Sequence, residues 1–412
     1  MSHNIDLTRV EGNARIIIEK KEGKLKAKIN VYESSRDFEK FLIGRYYKEI
    51  PDLTSRICGI CFVPHKLACI KAIENIIDIK ISKQTQKLRE VLNFGSTMYS
   101  HLLHLFFMVL PDIKKCDSVF EYEKELMQMG LKLIEISSEV VKIIGGRDVH
   151  VLTPIIGGFS KLPDKKDIDM LIKKLKESRE ICLKLIDIFS NLEDYRYKRK
   201  TQYLSLKDNK DYPNLNGDIV CDNGAKFKGE EYKKFIKEYN VDYSTSKFAT
   251  FKSKSYMVGA LSRLNNNSKY LPHKIKKLVK IPNYSPFYNN FAQTLEIYLF
   301  LEKIIEILEN LDIKKEFPKY EFKSGEGIGV VEAPRGLLIH HYKINKNKKI
   351  SYANIITPTA QNLRNIEEDS EKFLEMINQD NRHDIEHFLE RLVRAYDPCI
   401  SCATHFLDVK FA

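Results

Sequence analysis

Two Cys-x-x-Cys pairs stand near opposite ends of this chain. Cys58 and Cys61 lie in Arg56-Ile-Cys-Gly-Ile-Cys61, and Cys399 and Cys402 in Asp397-Pro-Cys-Ile-Ser-Cys402. Thiols three residues apart can grip one soft metal ion with a single short turn. Two such pairs make a four-thiolate site suited to nickel, iron, zinc, copper or iron–sulfur chemistry. A chain that closes one site from both ends must wrap around it, which points to one large fold with the thiols in its middle. Each pair alone also reads as a redox dithiol, half a zinc site or chance. The gap of more than 300 residues between the pairs speaks against a zinc ribbon. Arg56 favours thiolate over thiol. His65 follows Cys61 by four residues, one turn away on a helix, and Asp397-Pro398 stiffens the entry to the second pair.

Whether 412 residues form one unit depends on their organisation. Length alone allows two or three domains, but there is no repeat, low-complexity stretch or obvious linker. Apolar residues at 43% and charged residues at 30% suit a soluble globular protein with a substantial core. No apolar run is long enough to span a membrane. The N-terminal Met1-Ser-His-Asn-Ile-Asp-Leu-Thr8 lacks a signal-peptide pattern, and eight cysteines fit a reducing compartment, so the expectation is cytoplasmic. The net charge of +12 comes from lysines interleaved with acids, without a long block of one sign. It reads as a solvated surface, with no nucleic-acid or membrane partner.

Hydrophobic periodicity gives a coarse map. Residues 14–32 read as a β-hairpin around Lys-Glu-Gly-Lys. Helices are expected over 35–49, 64–78, 83–110 (stopped by Pro111-Asp112), 118–145 (ended by Gly145-Gly146) and 164–193. Residues 200–255 read as strands and loops, and 286–311 as a long helix opened by Ser285-Pro286. Residues 328–357 read as β, and 359–396 as mostly helical. The expected class is mainly α (α+β), a large helical bundle core with small peripheral β-sheets.

At this point the sequence resembles a known family. Arg-x-Cys-Gly-x-Cys near the start and Asp-Pro-Cys-x-x-Cys-x-x-His at the end are similar to the two signatures of nickel–iron hydrogenase large subunits. Thr8-Arg-Val-Glu-Gly12, Ser100-His-Leu-Leu-His104, Glu332-Ala-Pro-Arg-Gly336 and Thr357-Pro-Thr359 match further family motifs in order. The resemblance covers essentially the whole chain. Several segments look most similar to the α subunit of cytoplasmic sulfhydrogenase, or NADP-reducing hydrogenase. These include Gly157-Gly-Phe-Ser-Lys-Leu-Pro163, Tyr256–Arg263, Asn289–Ile297 and Val393–Cys402. Soluble hydrogenases of methanogens, F420-reducing or F420-non-reducing, are the nearest rivals.

The resemblance implies a catalytic subunit that splits or forms H2 heterolytically. Nickel would be held by Cys58, Cys61, Cys399 and Cys402. Cys61 and Cys402 would bridge to an iron carrying CN and CO ligands. Cys399 is one candidate base, and Glu11 maps onto the first proton relay. Arg335, presented by the Ala333-Pro334 corner, is another proposed base. Its guanidinium stays charged in ordinary surroundings, so it reads first as an electrostatic and positioning group. Thr359 matches a hydroxyl that hydrogen-bonds a cyanide, His65 a donor beside a bridging thiolate, and Asp397 a residue just behind the ligands. Glu33 and His405 match ligands of a buried magnesium ion. In the family a maturation protease cuts after this histidine. Residues 1–405 are therefore expected as a single domain and 406–412 as a removed extension.

Some residues depart from the pattern. Ser100 stands where some members carry an aspartate near the metals. His383 and His387 have zinc-like i, i+4 spacing but no third ligand nearby, and read as solvated. Cys69, Cys116, Cys182 and Cys221 are isolated, so the chain cannot hold iron–sulfur clusters of its own. There is no Gly-x-Gly-x-x-Gly fingerprint. Electrons are therefore expected to pass to a small subunit with iron–sulfur clusters and to flavin/NAD(P)-binding partners, with NAD(P) or polysulfide as the expected acceptor. Two other readings compete. One is a hydrogenase-derived structural subunit, a class that typically loses the thiols. The other is a zinc-stabilised helical protein.

Overall fold

The computed structural model describes residues 2–116, 121, 124–190, 192–316, 318–376 and 382–404. Its centre is helical. The helix Lys83–Leu103 packs on Lys124–Gly145 and on Tyr288–Glu309. The last of these is buried along most of its length and all round, as expected for a helix inside a large core. The largest apolar core draws on residues from Ile5 to Ile400, so both ends of the chain are committed to it. Among the described residues, no helix is long and apolar enough to cross a membrane.

Small sheets flank this centre. Ser2–Asp6, Ala14–Lys21 and Lys24–Val31 form a three-stranded antiparallel sheet that includes the hairpin expected over 14–32. Gly325–Ala333, Gly336–Ile344 and Ile350–Ile356 form a second. Its first hairpin pairs Ala333 with Gly336, leaving Pro334 and Arg335 as the turn. The strand Gly325–Ala333 lies close on the helix Phe62–Ile77. A Cβ at Gly329 would stand 2.1 Å from Ala68 O. That close approach sets the Arg335 turn against the element that begins at Cys61.

The architecture is the mainly α body with small sheets that the sequence predicts, but several boundaries differ. Residues 35–49 do not form one helix. Short helices Phe38–Leu42 and Ile50–Thr54 flank Gly44, whose φ of +81° breaks the turn. The amides of Gly44 and Tyr47 donate instead to Ile350 O and Lys348 O. Pro111 does not stop the third helix. A π-helical segment, His104–Val109, widens the coil, and Pro111 enters the first turn of Leu110–Lys114, where its missing N–H is harmless. The helix expected over 164–193 divides into Lys165–Glu177 and Arg179–Phe189 at Ser178, whose buried hydroxyl donates to Lys174 O.

Candidate metal centre

The first thiol pair closes the gap between a short 3-10 turn, Ser55–Ile57, and the helix that starts at Phe62. The second lies on the last described turn, Ile400–Ala403. The four sulfur atoms all lie within 4.8 Å of one another, and each residue is at most 5% exposed. Two metal–sulfur bonds of about 2.3 Å span at most about 4.6 Å, and the contacts between the pairs, Cys58 Sγ to Cys399 Sγ at 3.5 Å and Cys61 Sγ to Cys402 Sγ at 3.2 Å, fall within that span, so the set suits a thiolate-bound centre. Cys58 Sγ accepts the amides of Ile60 at 3.3 Å and Cys61 at 3.2 Å, bonds that favour a thiolate. Hydrogen bonding from Cys399 and the other thiols pulls Cys58 well below the ordinary thiol range. Burial pushes Cys399 and Cys402 well above it. Such a quartet stays mostly protonated without a cation to replace the protons.

Above the thiols, Arg335 and Asp397 form a fork. Arg335 Nε donates to Asp397 O at 2.6 Å and a terminal NH2 to Asp397 Oδ1 at 2.9 Å. Ser100, the departure from the acidic family pattern, meets Arg335 through its hydroxyl at 3.3 Å. Burial opposes the charge on Arg335, but Asp397 and the neighbouring sulfurs outweigh it and hold the guanidinium firmly protonated. Pro334 lends its carbonyl to Arg263 at 3.0 Å.

Arg263 belongs to a network whose members the sequence reading left without a role. It grips Glu296 at 2.7 and 2.6 Å and Glu332 at 2.9 Å. His101 Nε2 lies 2.8 Å from Glu296 Oε2, and Tyr212 donates its hydroxyl to Glu296 Oε1 at 2.7 Å. Burial alone would raise Glu296; the Arg263 guanidinium more than offsets it and draws the carboxyl down to about 2. The signal was present in the sequence. Glu296 is a lone acid in the apolar run Phe291–Leu301, where an unpaired charge would be too costly to bury.

The remaining expected site residues gather on the Cys399 side. Glu11 forms an isolated parallel bridge with Cys399. Its carbonyl accepts Ile400 N–H at 2.9 Å and its carboxylate accepts Ser401 N–H at 3.1 Å. Glu33 accepts the Ser401 hydroxyl at 3.0 Å and Asn13 N–H at 3.2 Å. Thr359 Oγ1 accepts Cys399 N–H at 2.9 Å. His65 Nδ1 lies 3.0 Å from His340 Nε2, a partner not foreseen. His405 lies outside the described residues. His387 is exposed, as expected, while the His383 side chain lies outside the described part. Among the described residues the four cysteines are the one metal-ligating group, and Cys69, Cys116, Cys182 and Cys221 stay apart from it.

Residues 36–124 and 198–405 match the profile of the nickel-dependent hydrogenases. The chain belongs to the nickel-dependent hydrogenase family, as a large subunit. It is 36% identical to the alpha subunit of sulfhydrogenase 1 of Pyrococcus furiosus, over 97% of this chain and 96% of that one. It is 31% identical to the vhc F420-non-reducing hydrogenase chain of Methanococcus voltae, over 97% and 94%. In the solved structures, the large chain of an NAD+-reducing [NiFe]-hydrogenase in its H2-reduced state superposes with a TM-score of 0.89. That match is 26% identical and covers 98% of this chain and 99% of the other. Family membership makes the four-thiol group a nickel and iron site and the protein a hydrogenase.

Proposed function

We propose that this chain is the catalytic large subunit of a cytoplasmic nickel–iron hydrogenase that passes electrons from H2 to NAD(P) or polysulfide through partner subunits. The observation that carries the reading is the buried quartet Cys58, Cys61, Cys399 and Cys402. Cys58, Cys61, Cys399 and Cys402 would hold nickel, Cys61 and Cys402 would also serve an iron with CN and CO ligands, and the two metals would supply the two-electron chemistry of H2 cleavage.

The chain's own groups do the rest. Cys399 accepts the proton as a thiolate, and Glu11 takes it onward. The tie between Glu11 and the main chain at Ile400 and Ser401 supports that order, because it holds the carboxylate beside Cys399. The Ser401 hydroxyl donates to Glu33 on the same side of the site. Arg335 is a positioning group and not a base, since Asp397 keeps it charged. Thr359 uses one lone pair on Cys399 N–H and keeps its O–H to donate to a cyanide. His65 donates toward a bridging thiolate. Glu33 and His405 would hold a magnesium ion, a hard cation suited to oxygen ligands. Residues 1–405 act as one unit, and a maturation protease removes 406–412.

Electrons leave through a small subunit carrying iron–sulfur clusters, with flavin/NAD(P)-binding subunits beyond it. The surface at Arg56 and Gly59 suits that docking, since both are exposed and lie next to Cys58 in sequence. A Cβ at Gly59 would meet nothing within 4 Å, so the chain's own packing leaves space there for a neighbour. The eight cysteines, all free, fit a reducing compartment. Likeness to the Methanococcus relative keeps an F420-linked complex as the second reading. Metal analysis of the matured enzyme tests the proposal. Nickel and iron near one each per chain, with H2-dependent reduction of NADP or polysulfide, is expected; zinc alone would overturn it.

A further inference from the structure

The two thiol pairs sit on separate arms of the chain, and the sulfurs give those arms no firm hold on one another. A thiol is a weak donor and its sulfur a weak acceptor. A stronger link runs through Arg36, which has no part in the site described above. One terminal nitrogen of its guanidinium donates to Ile57 O at 2.7 Å and also to Ser401 O. Ile57 is the residue before Cys58, and Ser401 stands between Cys399 and Cys402. A planar guanidinium NH2 carries two hydrogens that point apart, one for each carbonyl. A single group therefore spans both arms.

The segment that presents Arg36 is itself anchored. It joins the strand Lys24–Val31 to the helix Phe38–Leu42. Thr245 donates its amide to Val31 O at 2.9 Å and its hydroxyl to Glu33 O at 2.7 Å. Arg36 N–H donates to Thr404 O at 2.9 Å, and its guanidinium lies 5.5 Å from the centre of the Phe38 ring. The acceptors are held as well. Ser401 gives its N–H to Glu11 and its hydroxyl to Glu33, so its carbonyl cannot turn away without breaking both bonds. Ile57 ends the 3-10 turn Ser55–Ile57 and is fully buried. Arg36 is exposed while the four cysteines are buried, so the guanidinium closes the join from the outside.

We propose that Arg36 is the latch of the metal centre: it clamps the main chain at Ile57 to the main chain at Ser401 and so sets the separation at which the two thiol pairs meet. The inference rests on the reading of the four thiols as metal ligands. Arg36 is a positioning residue, because it acts on the centre only through the peptides that carry the cysteines. By resisting separation of the arms, it governs how fast bound metal is lost.

Two variants of the complete enzyme test the latch. Arg36→Met keeps an unbranched side chain without a donor, and Arg36→Lys keeps a donor without the planar NH2. Nickel release to excess EDTA should be roughly 10- to 100-fold faster in Arg36→Met, with Arg36→Lys between it and the parent and the thermal unfolding midpoint unchanged in both. Release at the parental rate in Arg36→Met would overturn the proposal, as would faster release that comes only with a lowered midpoint. Alkylation by iodoacetamide, read by mass spectrometry on the metal-free full chain, follows the arms without the metals. Cys58 and Cys402 should react at least about 10-fold faster in Arg36→Met than in the parent; equal rates would overturn the latch. A parent enzyme devoid of nickel and iron would defeat the hydrogenase reading, while the alkylation rates would still decide whether Arg36 holds the arms together.

Discussion

Glu11 runs alongside Cys399 in a parallel bridge, so two residues from opposite ends of the chain are immediate neighbours. Its carboxylate is tied to Ser401 N–H. Glu11→Gln keeps an acceptor for that amide but cannot take up a proton. Hydrogen–deuterium exchange catalysed by the enzyme should fall roughly 100-fold, within the range for a positioned acid or base, with nickel and iron content unchanged. Lost metal in this variant would show that the carboxylate holds the site together and is no relay.

Gly12 makes that bridge possible. Its φ is +85°, and a Cβ would stand 2.6 Å from Glu33 Oε2 and 2.7 Å from Ile400 Cβ. Gly12→Ala should therefore push the last turn away from the first pair of thiols. Reduced nickel per chain in the purified protein, measured by elemental analysis, is the expected outcome.

Arg335 reaches Asp397 through two different nitrogens, which a lysine ammonium cannot reproduce. Arg335→Lys should lower H2 oxidation roughly 10- to 100-fold while the metals remain bound. Full activity in this variant would reduce the role of Arg335 to its charge.

Glu296 links Arg263, His101 and Tyr212 beneath the Arg335 turn. Glu296→Gln leaves part of the Arg263 charge unpaired and should cost about 3 kcal/mol at neutral pH, read by denaturant unfolding. The sign with pH follows from the depressed carboxyl. Its folded value of about 2 lies below the ordinary 4.5, so its stabilisation is present above 4.5 and is lost as pH falls from there toward 2. The variant should lack that share of the acid sensitivity.

Intact-mass measurement of active enzyme should give a chain ending at His405. Active protein still carrying Ala412 would refute the processing step. Cys399→Ser should abolish H2 activity even where some metal is retained, because a hydroxyl is a far weaker metal ligand and base than a thiolate.

Much of the site could be read before any coordinates, because its ligands come in short motifs whose spacing reflects local geometry. Cys58 and Cys61 bracket the short gap before the helix that starts at Phe62, and Cys399 and Cys402 fall on one turn. The helix boundaries were harder. An expected helix broke at Gly44, where Gly44 and Tyr47 donate to Ile350 and Lys348, partners some 300 residues away. Pro111 was tolerated because a π segment preceded it. Arg263, Glu296 and His104 gave weak signals, since a lone polar residue in an apolar run does not name its partner.

The sequence alone determined which atoms were available: soft thiolates in two pairs, a carboxylate before Gly12, and a guanidinium after Pro334. Those are matters of side-chain chemistry and one- or two-turn spacing. Only the tertiary structure decided how they meet. It set Glu11 against Cys399, aimed both arms of Arg335 at Asp397, and lined His104 and Gln293 up behind that carboxylate. Hydrogen-bond complementarity across such distances in sequence depends on the packing of whole helices and strands, and no local pattern encodes it.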